Sequence, residues 1–300
     1  MPPVPPPTIP VGRFAPSPTG PLHFGSLLTA VGSYCLARQA GGLWLLRIED
    51  LDTPRVVPGA ADTILQTLDA LALHWDGEIL YQSRRSARYA EALAILEQKS
   101  LVYGCACSRK EILASAPHPG EEGPIYPGLC RAGLPPGRRP RAWRLQVPAR
   151  SVTLFDGVRG RQSQHLAEEV GDFVVRRADG LFAYQLAVVV DDADSGVTQV
   201  VRGQDLLTST PRQIYLHECL SFPHPEYIHL PLALAADGKK ICKRHGAVAV
   251  EPKRGGPLIA SALRFLGQTV PAELEQAPAA EVLRWGVAHF DLRLDRKSVV

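Results

Sequence analysis

The chain has 300 residues, of which 45% are apolar and 21% charged, and its formal net charge is +3. These values are typical of a globular protein with one large or two modest domains, and they exclude a highly charged disordered chain. The sequence also has no stretch of about 18 consecutive apolar residues, so it contains no predicted membrane-spanning helix.

The chain opens with MPPVPPPTIP, which lacks the charged and apolar regions of a signal peptide. Prolines at this density favour an extended, solvated conformation, so residues 1–10 are predicted to form a disordered tail. The six cysteines are too few for a disulfide scaffold in a chain of this length. We therefore expect a cytoplasmic protein.

A strand, a helix and a second strand are predicted next. Val11–Ala15 has the apolar character of a short buried strand, and a loop rich in proline and glycine follows it. A helical pattern then runs until Gly41 and Gly42 end it, and Leu43–Ile48 is a second buried strand. The apolar positions of that helix are Leu27, Leu28, Val31, Cys35 and Leu36. This βαβ unit predicts a parallel sheet with a right-handed crossover.

The middle of the chain alternates between regular and irregular segments. Amphipathic helices are predicted around Ala60–Leu73 and Ala87–Gln98. Leu101–Arg141 is rich in Cys, Pro, Gly and Arg with little periodicity, so we interpret it as an insertion with its own fastening. Strand patterns then resume at Ala142–Val147, Asp172–Arg176, Leu181–Val190 and Val197–Val201.

The last third is predicted to contain a helix, a strand, a loop and a final helical segment. Ser209, Thr210 and Pro211 supply a cap and a first-turn proline for a helix over Arg212–Leu220. A strand at His229–Ala235 leads into the loop DGKKICKR, and the segment Pro257–Phe290 is predominantly helical.

The loop after the first strand has the features of an anion site. A helix that begins there presents free N–H groups and the positive end of its dipole. Gly20 and Gly25 permit close backbone approach, and His23 adds a ring nitrogen that can donate to a phosphate oxygen. The alternative is an ordinary glycine-containing turn with a surface histidine.

The insertion contains a cysteine pattern that suits a metal ion. Cys105 and Cys107 are followed by Tyr126 and Cys130, and thiolates are good ligands for a closed, tetrahedral zinc site. Three cysteines leave one ligand to find, and His118 is the generic candidate. The alternative is three free thiols. Cys35 and Cys219 fall on apolar helix faces and are predicted to be core residues.

Two segments carry a family resemblance: PSPTGPLHFGS at Pro16–Ser26 and KKICKR at Lys239–Arg244. In this order they resemble the paired ATP-binding signatures of class I aminoacyl-tRNA synthetases of the glutamyl and glutaminyl type. The first usually ends in His-x-Gly-His and the second reads Lys-Met-Ser-Lys-Ser, so Ser26 and Cys242 depart from the pattern.

The resemblance implies that ATP binds with Mg²⁺ and that the loop lysines stabilise the departing pyrophosphate. It makes Lys243 the main catalytic residue, supported by Lys240 and His23, with Gly25 and Ser26 also binding ATP. Considered alone, the lysines would also suit an ordinary charged surface loop.

The resemblance covers Val11–Glu251 and includes RIEDLD from Arg47, YQLAVVVDD from Tyr184 and VRGQDLL from Val201. By position it implies a glutamate pocket built from Arg13, Ser17, Glu49, Tyr184 and Arg202. The two guanidinium groups suit a substrate with two carboxylates, Glu49 would hold the ammonium, and the Tyr184 hydroxyl would donate to a carboxylate.

Three further positions in the segment that begins at Tyr184 also carry predictions. Val188 replaces an asparagine that is usual in tRNA-charging relatives, so one side of the pocket is expected to be altered. Asp191 and Asp192 are interpreted as solvated carboxylates at a strand end. In the metal site, the family pattern makes Tyr126 the fourth zinc ligand, with His118 as the alternative.

The overall resemblance is to the short glutamyl-Q tRNA(Asp) synthetase branch of this family. It implies an α/β fold with a Rossmann-like catalytic domain, a small zinc-binding insertion, a short helical C-terminal segment and no anticodon-binding domain. The expected divisions are a tail at 1–10, catalytic halves at 11–100 and 142–250, the insertion at 101–141 and the C-terminal segment at 251–300.

The implied reaction forms glutamyl-adenylate from L-glutamate and ATP, then transfers the glutamyl group to queuosine at the wobble position of tRNA(Asp). A structural zinc ion and a monomeric state are also expected. The alternatives are a glutamyl-tRNA synthetase that charges the tRNA 3′ end and a catalytically inactive RNA-binding paralogue.

Overall fold

A computed structural model describes residues 9–115, 119–120, 123–134, 136–232, 250–251 and 254–295. The tail residues 1–8, the predicted ligand His118 and the signature residues Lys240, Cys242 and Lys243 lie outside these ranges. None of the helices in the described ranges has the length and apolar character needed to cross a lipid bilayer.

A parallel sheet forms the centre of the fold. One part pairs β1 with β2 and β2 with β3, and the other pairs β11 with β12, all in parallel. The two parts lie side by side, and the Thr198 backbone N–H donates to the Val11 carbonyl at 2.9 Å. The strands are β1 Val11–Phe14, β2 Leu43–Ile48, β3 Leu80–Tyr81, β11 Gln199–Gly203 and β12 Glu226–Leu230.

Helices cover both faces of this sheet because successive strand residues point to opposite sides. Trp44 and Leu46 belong to one apolar cluster, whereas Leu45 packs against the other. The helices of the first cluster are α1 Phe24–Gln39, α2 Ala60–Ala70, α8 Gly255–Phe265 and α9 Ala279–His289. Those of the second are α3 Ser86–Gln98, α6 Tyr184–Asp194 and α7 Thr210–Leu220.

The predicted βαβ unit is confirmed in its elements and their order. Helix α1 begins directly after His23, which occupies its N-cap position, and it ends before Gly41, whose φ is +67°. Gly42 follows because a Cβ there would lie 2.3 Å from the Pro10 carbonyl oxygen. Cys35 and Cys219 are buried in helices α1 and α7, as predicted.

The remaining elements lie at the side of the parallel sheet. Strand β7 pairs antiparallel with β4 and β10, so residues on both sides of Arg141 share one sheet. A two-stranded hairpin of β8 and β9 follows. The elements are β4 Val102–Cys105, α4 Arg109–Ser115, β5 Pro119–Gly120, β6 Gly123–Pro124, β7 Ala142–Leu145, β8 Ser151–Asp156, β9 Gly160–His165, α5 Leu166–Glu169, β10 Phe173–Arg176 and α10 Leu292–Asp295.

The strand predicted at Leu181–Val190 is wrong, because the chain forms helix α6 over Tyr184–Asp194. The run is apolar on every side, so its periodicity does not separate a buried strand from a buried helix. All residues from Leu186 to Asp192 are buried in α6, and this packing overrides the β preference of the three valines.

Two smaller expectations also need correction. Ser209 stands before α7, but its hydroxyl makes no capping bond; it accepts instead from Gln185 Nε2 at 3.1 Å and from Arg212 Nη2 at 3.2 Å. The strand expected at His229–Ala235 begins earlier, at Glu226, and ends at Leu230.

Candidate active site and metal clip

A cavity of about 700 Å³ opens at the carboxyl ends of the parallel strands. Open α/β sheets bind ligands at the carboxyl ends of their strands, at the point where the strand order reverses. Among the described residues, all the positions predicted for the adenylate and glutamate sites line this cavity: Arg13, Ser17, His23, Gly25, Ser26, Glu49, Tyr184 and Arg202.

The start of α1 forms the side of the cavity that the sequence predicts to bind phosphate. The backbone N–H of Ser26 donates to His23 Nδ1 at 3.2 Å, and the Ser26 hydroxyl lies 3.1 Å from His23 Nε2. A Cβ on Gly25 would stand 3.2 Å from two atoms of the same ring. Ser26 therefore contacts the His23 imidazole through both its backbone and its hydroxyl. A side chain at position 25 would crowd this ring, so glycine suits that position.

The loop before α1 is held by backbone hydrogen bonds from the segment that follows β2. Glu49 N–H donates to the Pro16 carbonyl at 3.0 Å, and Val57 N–H donates to the Pro18 carbonyl at 2.9 Å. Gly20 adopts a φ of +136°, which favours glycine. Ser17 is exposed at the cavity wall between these fixed points.

Arg13 is held beneath the cavity by a buried carboxylate. Its Nε donates to Asp192 Oδ1 at 3.2 Å, and Arg47 Nη1 donates to the same oxygen at 2.6 Å. Burial alone would raise the pKa of Asp192, but Arg13 and Arg47 lower it from 3.8 to about 2. One carboxylate thus fixes two guanidinium groups, one of which lines the cavity.

Asp191 and Asp192 are not solvated, contrary to the prediction. Their relative exposures are 0% and 2%, because α6 packs them against the sheet. Asp191 accepts from Gln82 Nε2 at 2.8 Å and from Arg85 Nε at 2.7 Å. Its carboxylate also accepts from the Tyr89 hydroxyl at 2.9 Å. Both carboxylates therefore belong to a buried polar network.

Glu49 supplies negative charge at the cavity wall. Its carboxylate accepts from Arg47 Nη2 at 3.2 Å, and the side chain is only 11% exposed. Burial raises the pKa of Glu49, although Arg47 and Arg13 oppose that shift. Burial also raises the pKa of the Tyr184 phenol, and the nearby Glu49 adds to the effect.

Arg202 is the second guanidinium group at the cavity, and it is 3% exposed. Its Nε donates to His229 Nε2 at 3.0 Å and its Nη2 donates to Thr210 Oγ1 at 2.8 Å. Its Nη1 is buried and has no hydrogen-bond partner within the described part of the chain. Such an unpaired donor suits a substrate oxygen.

Val188 lies one helical turn after Tyr184 and one turn before Asp192 on α6. It is 1% exposed and is not among the residues that line the cavity. The valine therefore lies behind the cavity wall.

The cysteine cluster forms a compact centre in the insertion. The three sulfur atoms of Cys105, Cys107 and Cys130 lie within 4.8 Å of one another, and Cys107 and Cys130 are 3.6 Å apart. The Tyr126 hydroxyl lies 3.4 Å from the Cys105 sulfur and 3.6 Å from that of Cys107. A tetrahedral zinc ion with three sulfur ligands and one oxygen ligand has edges of about 3.8 and 3.5 Å. The three measured separations are close to these edges, so the four side chains could hold a zinc ion.

Arg144 lies against the group formed by Cys105, Cys107, Tyr126 and Cys130, which we call the clip. Its guanidinium carbon stands 3.9 Å from the Tyr126 ring centroid. Burial alone would raise the pKa of the Cys105 thiol, but hydrogen bonds with Tyr126 and Arg144 bring it below its ordinary value. A lowered thiol pKa favours the thiolate of Cys105, the form that binds a metal, whereas burial raises the pKa of the Cys107 thiol to about 11.

A second cavity, of about 590 Å³, lies between the clip and the β8–β9 hairpin. Tyr126, Arg144 and Gln164 line it, and the last two carry buried polar atoms without a partner in the described ranges. Leu206 lines the first cavity and Leu207 the second, so one short segment separates them.

Sequence reasoning missed the residues that hold the two arginines. Arg47 lies in the RIEDLD segment without an assigned role, and neither Asp156 nor His229, at the start of a predicted strand, was given one. The alternating pattern of Ser151–Asp156 and the following DG pair were available signals for the missed hairpin. Nothing local predicts that Asp156 contacts His229.

Comparison with known sequences matches residues 11–257 to the family described as tRNA synthetases class I (E and Q), catalytic domain. A glutamyl-Q tRNA(Asp) synthetase from Dechloromonas aromatica strain RCB is 59% identical over 291 residues, which are 96% of this chain and 97% of that protein. One from Geobacter sulfurreducens is 57% identical over 288 residues, covering 94% of this chain and 92% of the relative.

Solved structures give the same fold. A glutamate tRNA ligase from Elizabethkingia meningosepticum, in complex with its amino acid, superposes with a TM-score of 0.77 at 26% identity. The match covers 96% of this chain but 66% of that longer protein. An arginyl tRNA synthetase structure from Campylobacter jejuni, described as putative, has a TM-score of 0.52 at 15% identity, which shows similarity of fold alone.

Proposed function

Because the chain belongs to the class I tRNA synthetase family of the glutamyl and glutaminyl type, we propose that it activates L-glutamate with ATP and transfers the glutamyl group to queuosine in tRNA(Asp). The chain is a ligase of the aminoacyl-tRNA synthetase type. The proposal places this reaction in the cytoplasm and assigns it to a monomer.

The observation that carries the proposal is the charge arrangement of the first cavity. Arg13 and Arg202 line it with Glu49, so two cations and one anion face a substrate with two carboxylates and one ammonium. Guanidinium groups grip carboxylates bidentately, and the unpaired Arg202 Nη1 is ready to donate. Tyr184 and Ser17 add hydroxyl groups at the same wall.

In the proposed first step, a glutamate carboxylate oxygen attacks the α-phosphorus of ATP. A new P–O bond forms, the bond to the β-phosphate oxygen breaks, and pyrophosphate leaves with its electron pair. The α1 N-terminus, with His23, Gly25 and Ser26, is proposed to bind the phosphates. Lys243 and Lys240 are proposed to stabilise the charge that develops, together with Mg²⁺ bound to ATP.

In the proposed second step, a hydroxyl of the queuosine diol attacks the activated carbonyl carbon. A new C–O ester bond forms, the C–O bond between the carbonyl carbon and the AMP phosphate breaks, AMP leaves with that electron pair, and the hydroxyl proton is released. The names of the relatives support this acceptor, since they are glutamyl-Q tRNA(Asp) synthetases whose length the chain covers almost entirely. The second candidate acceptor is the tRNA 3′ end, which is favoured by the structural similarity to glutamate tRNA ligases.

The activation step is tested by ATP–pyrophosphate exchange with the purified chain. We expect exchange with L-glutamate and much weaker exchange with L-glutamine, whose neutral amide does not match Arg13 and Arg202. L-Aspartate, one methylene shorter, serves as the matched control for side-chain length. Absence of glutamate-dependent exchange at saturating ATP and Mg²⁺ would contradict the proposed activity.

We also propose that Cys105, Cys107, Tyr126 and Cys130 hold a structural zinc ion. Three of the separations between these atoms, from 3.4 to 3.6 Å, are close to the edges of a tetrahedral site and support the proposal. Zinc would join β4 to the turn after β6, which have few apolar contacts of their own: the apolar cluster here contains Cys105, Tyr126 and Cys130 as its buried members.

Substituting a clip residue should lower the zinc affinity. Structural zinc binds with about 10–16 kcal/mol, so one of four ligands accounts for about 3 kcal/mol, or on the order of 10²-fold in affinity. We expect this loss for Cys130→Ser and a clear loss for Tyr126→Phe, measured by competition with a chromophoric chelator. His118→Ala is the control. Retained affinity in Tyr126→Phe together with lost affinity in His118→Ala would assign the fourth ligand to His118.

A further inference from the structure

A buried chain of polar groups stands behind Arg202. Asp156, at the end of β8, lies 2.6 Å from His229 Nδ1 through its Oδ2, and His229 lies on β12. Both side chains are fully buried, at 0% exposure. His229 Nε2 then accepts from Arg202 Nε at 3.0 Å.

The hydrogen-bond roles in this chain are fixed by chemistry. Arginine nitrogens only donate, so His229 Nε2 must be the unprotonated acceptor. His229 Nδ1 therefore carries the proton and donates it to Asp156. The Asp156 carboxylate thus determines the tautomer of His229, and this tautomer in turn determines the orientation of the Arg202 guanidinium.

The same chain leaves the charge of Arg202 available. Its partners are His229, the Thr210 hydroxyl and the Leu206 carbonyl, all of them neutral when the imidazole is neutral. Arg13, in contrast, is paired directly with the carboxylate of Asp192. Burial and the nearby Arg202 cation lower the pKa of His229, which favours the neutral ring, although Asp156 opposes the shift.

We propose that Asp156 and His229 are positioning residues that hold Arg202 with a free, charged edge toward the cavity and so set the preference for a carboxylate substrate. This inference rests on the proposed function, in which Arg202 binds glutamate. The stacked rings of Tyr227 and His229, 6.3 Å between centroids and 12° apart, add support to the imidazole plane.

Asp156→Asn is the sharpest test because its structural outcome follows from the other oxygen. Oδ1 accepts from the backbone N–H groups of Val158 at 3.0 Å, Arg159 at 2.8 Å and His229 at 3.3 Å. In the variant, the amide oxygen should occupy that position and the NH₂ group should face His229 Nδ1. The imidazole would then carry its proton on Nε2, where it can donate to the Thr210 hydroxyl 3.1 Å away but opposes the Arg202 N–H.

We expect Asp156→Asn to raise the KM for glutamate in ATP–pyrophosphate exchange about tenfold or more, with a smaller change in the KM for ATP. His229→Gln should retain most of the glutamate affinity, because its amide can donate to Asp156 and accept from Arg202. His229→Leu should behave like Asp156→Asn. Thr153→Ala, on the exposed face of the same hairpin, is the control.

The imidazole tautomer gives a second readout that does not depend on activity. Nitrogen NMR of the histidine-labelled chain should show His229 protonated at Nδ1 in the wild type and at Nε2 in Asp156→Asn. An active wild type with an unchanged glutamate KM in Asp156→Asn, or equal values for His229→Gln and His229→Leu, would overturn the inference. A wild type without exchange contradicts the proposed function, and the NMR result then still tests the positioning chain.

Discussion

Replacing Asp192 with alanine is expected to lower the free energy of unfolding by about 3–5 kcal/mol. The change removes a carboxylate that is 2% exposed and leaves Arg13 and Arg47 buried without their shared partner. The loss should appear as a reduced denaturant midpoint with an unchanged m-value. Asp194→Ala is the matched control on the same helix.

Asp194 pairs with Arg85 and Arg88, but its side chain is 28% exposed. Solvent screens such pairs, so Asp194→Ala should cost no more than about 1 kcal/mol. Equal losses in the two variants would show that burial of Asp192 does not carry the effect.

The Asp192 contribution should also depend on pH with a defined sign. Because its pKa is lowered in the fold from 3.8 to about 2, its stabilising effect is fully present above about pH 4. It is lost as the pH falls from there through about 2. The difference in stability between the wild type and Asp192→Ala should therefore shrink over that interval, as measured by urea unfolding at fixed ionic strength.

Replacing Arg202 with leucine is expected to reduce kcat/KM for glutamate by about 10²–10³-fold. Removal of one partner from a buried charged contact costs about 2–5 kcal/mol, and each 1.4 kcal/mol is a factor of ten. Arg202 is nearly fully buried and lines the cavity, so water cannot replace its charge efficiently. The measurement is glutamate-dependent ATP–pyrophosphate exchange.

Two variants make that result specific. Arg202→Lys keeps the charge but lacks the planar fork that contacts His229 and Thr210 together, so it should restore only part of the activity. Arg161→Leu removes an exposed arginine from β9 and should change kcat/KM less than twofold. A loss of less than about threefold in Arg202→Leu would show that this guanidinium does not bind the substrate.

The sequence was most informative where chemistry follows directly from residue type and local order. The His23 loop and the cysteine pattern are each local in the sequence. In the structure, His23 contacts Ser26, and the three cysteines lie close to one another. Arg13 and Arg202 are far apart along the chain, yet both are predicted to be pocket residues because each lies in a segment that resembles the family. Their common cavity results from the parallel strands that end at one edge.

Other features depend on packing between distant segments. The run of apolar residues after Tyr184 suits a strand or a buried helix, and only its position between the sheet and other helices decides for the helix. The sequence predicts a solvated Asp192 because the preceding residues suit a strand that ends there. Its burial depends on Arg13 and Arg47, which come from two other strands.

The identity of the glutamylated nucleoside tests the proposed acceptor most directly. The purified chain would be incubated with labelled glutamate, ATP and tRNA(Asp) with or without queuosine, and the product digested to nucleosides and separated. We predict label on queuosine alone and no transfer to the queuosine-free tRNA. Label on the 3′ terminal adenosine, or equal transfer to the queuosine-free tRNA, would contradict the proposed function.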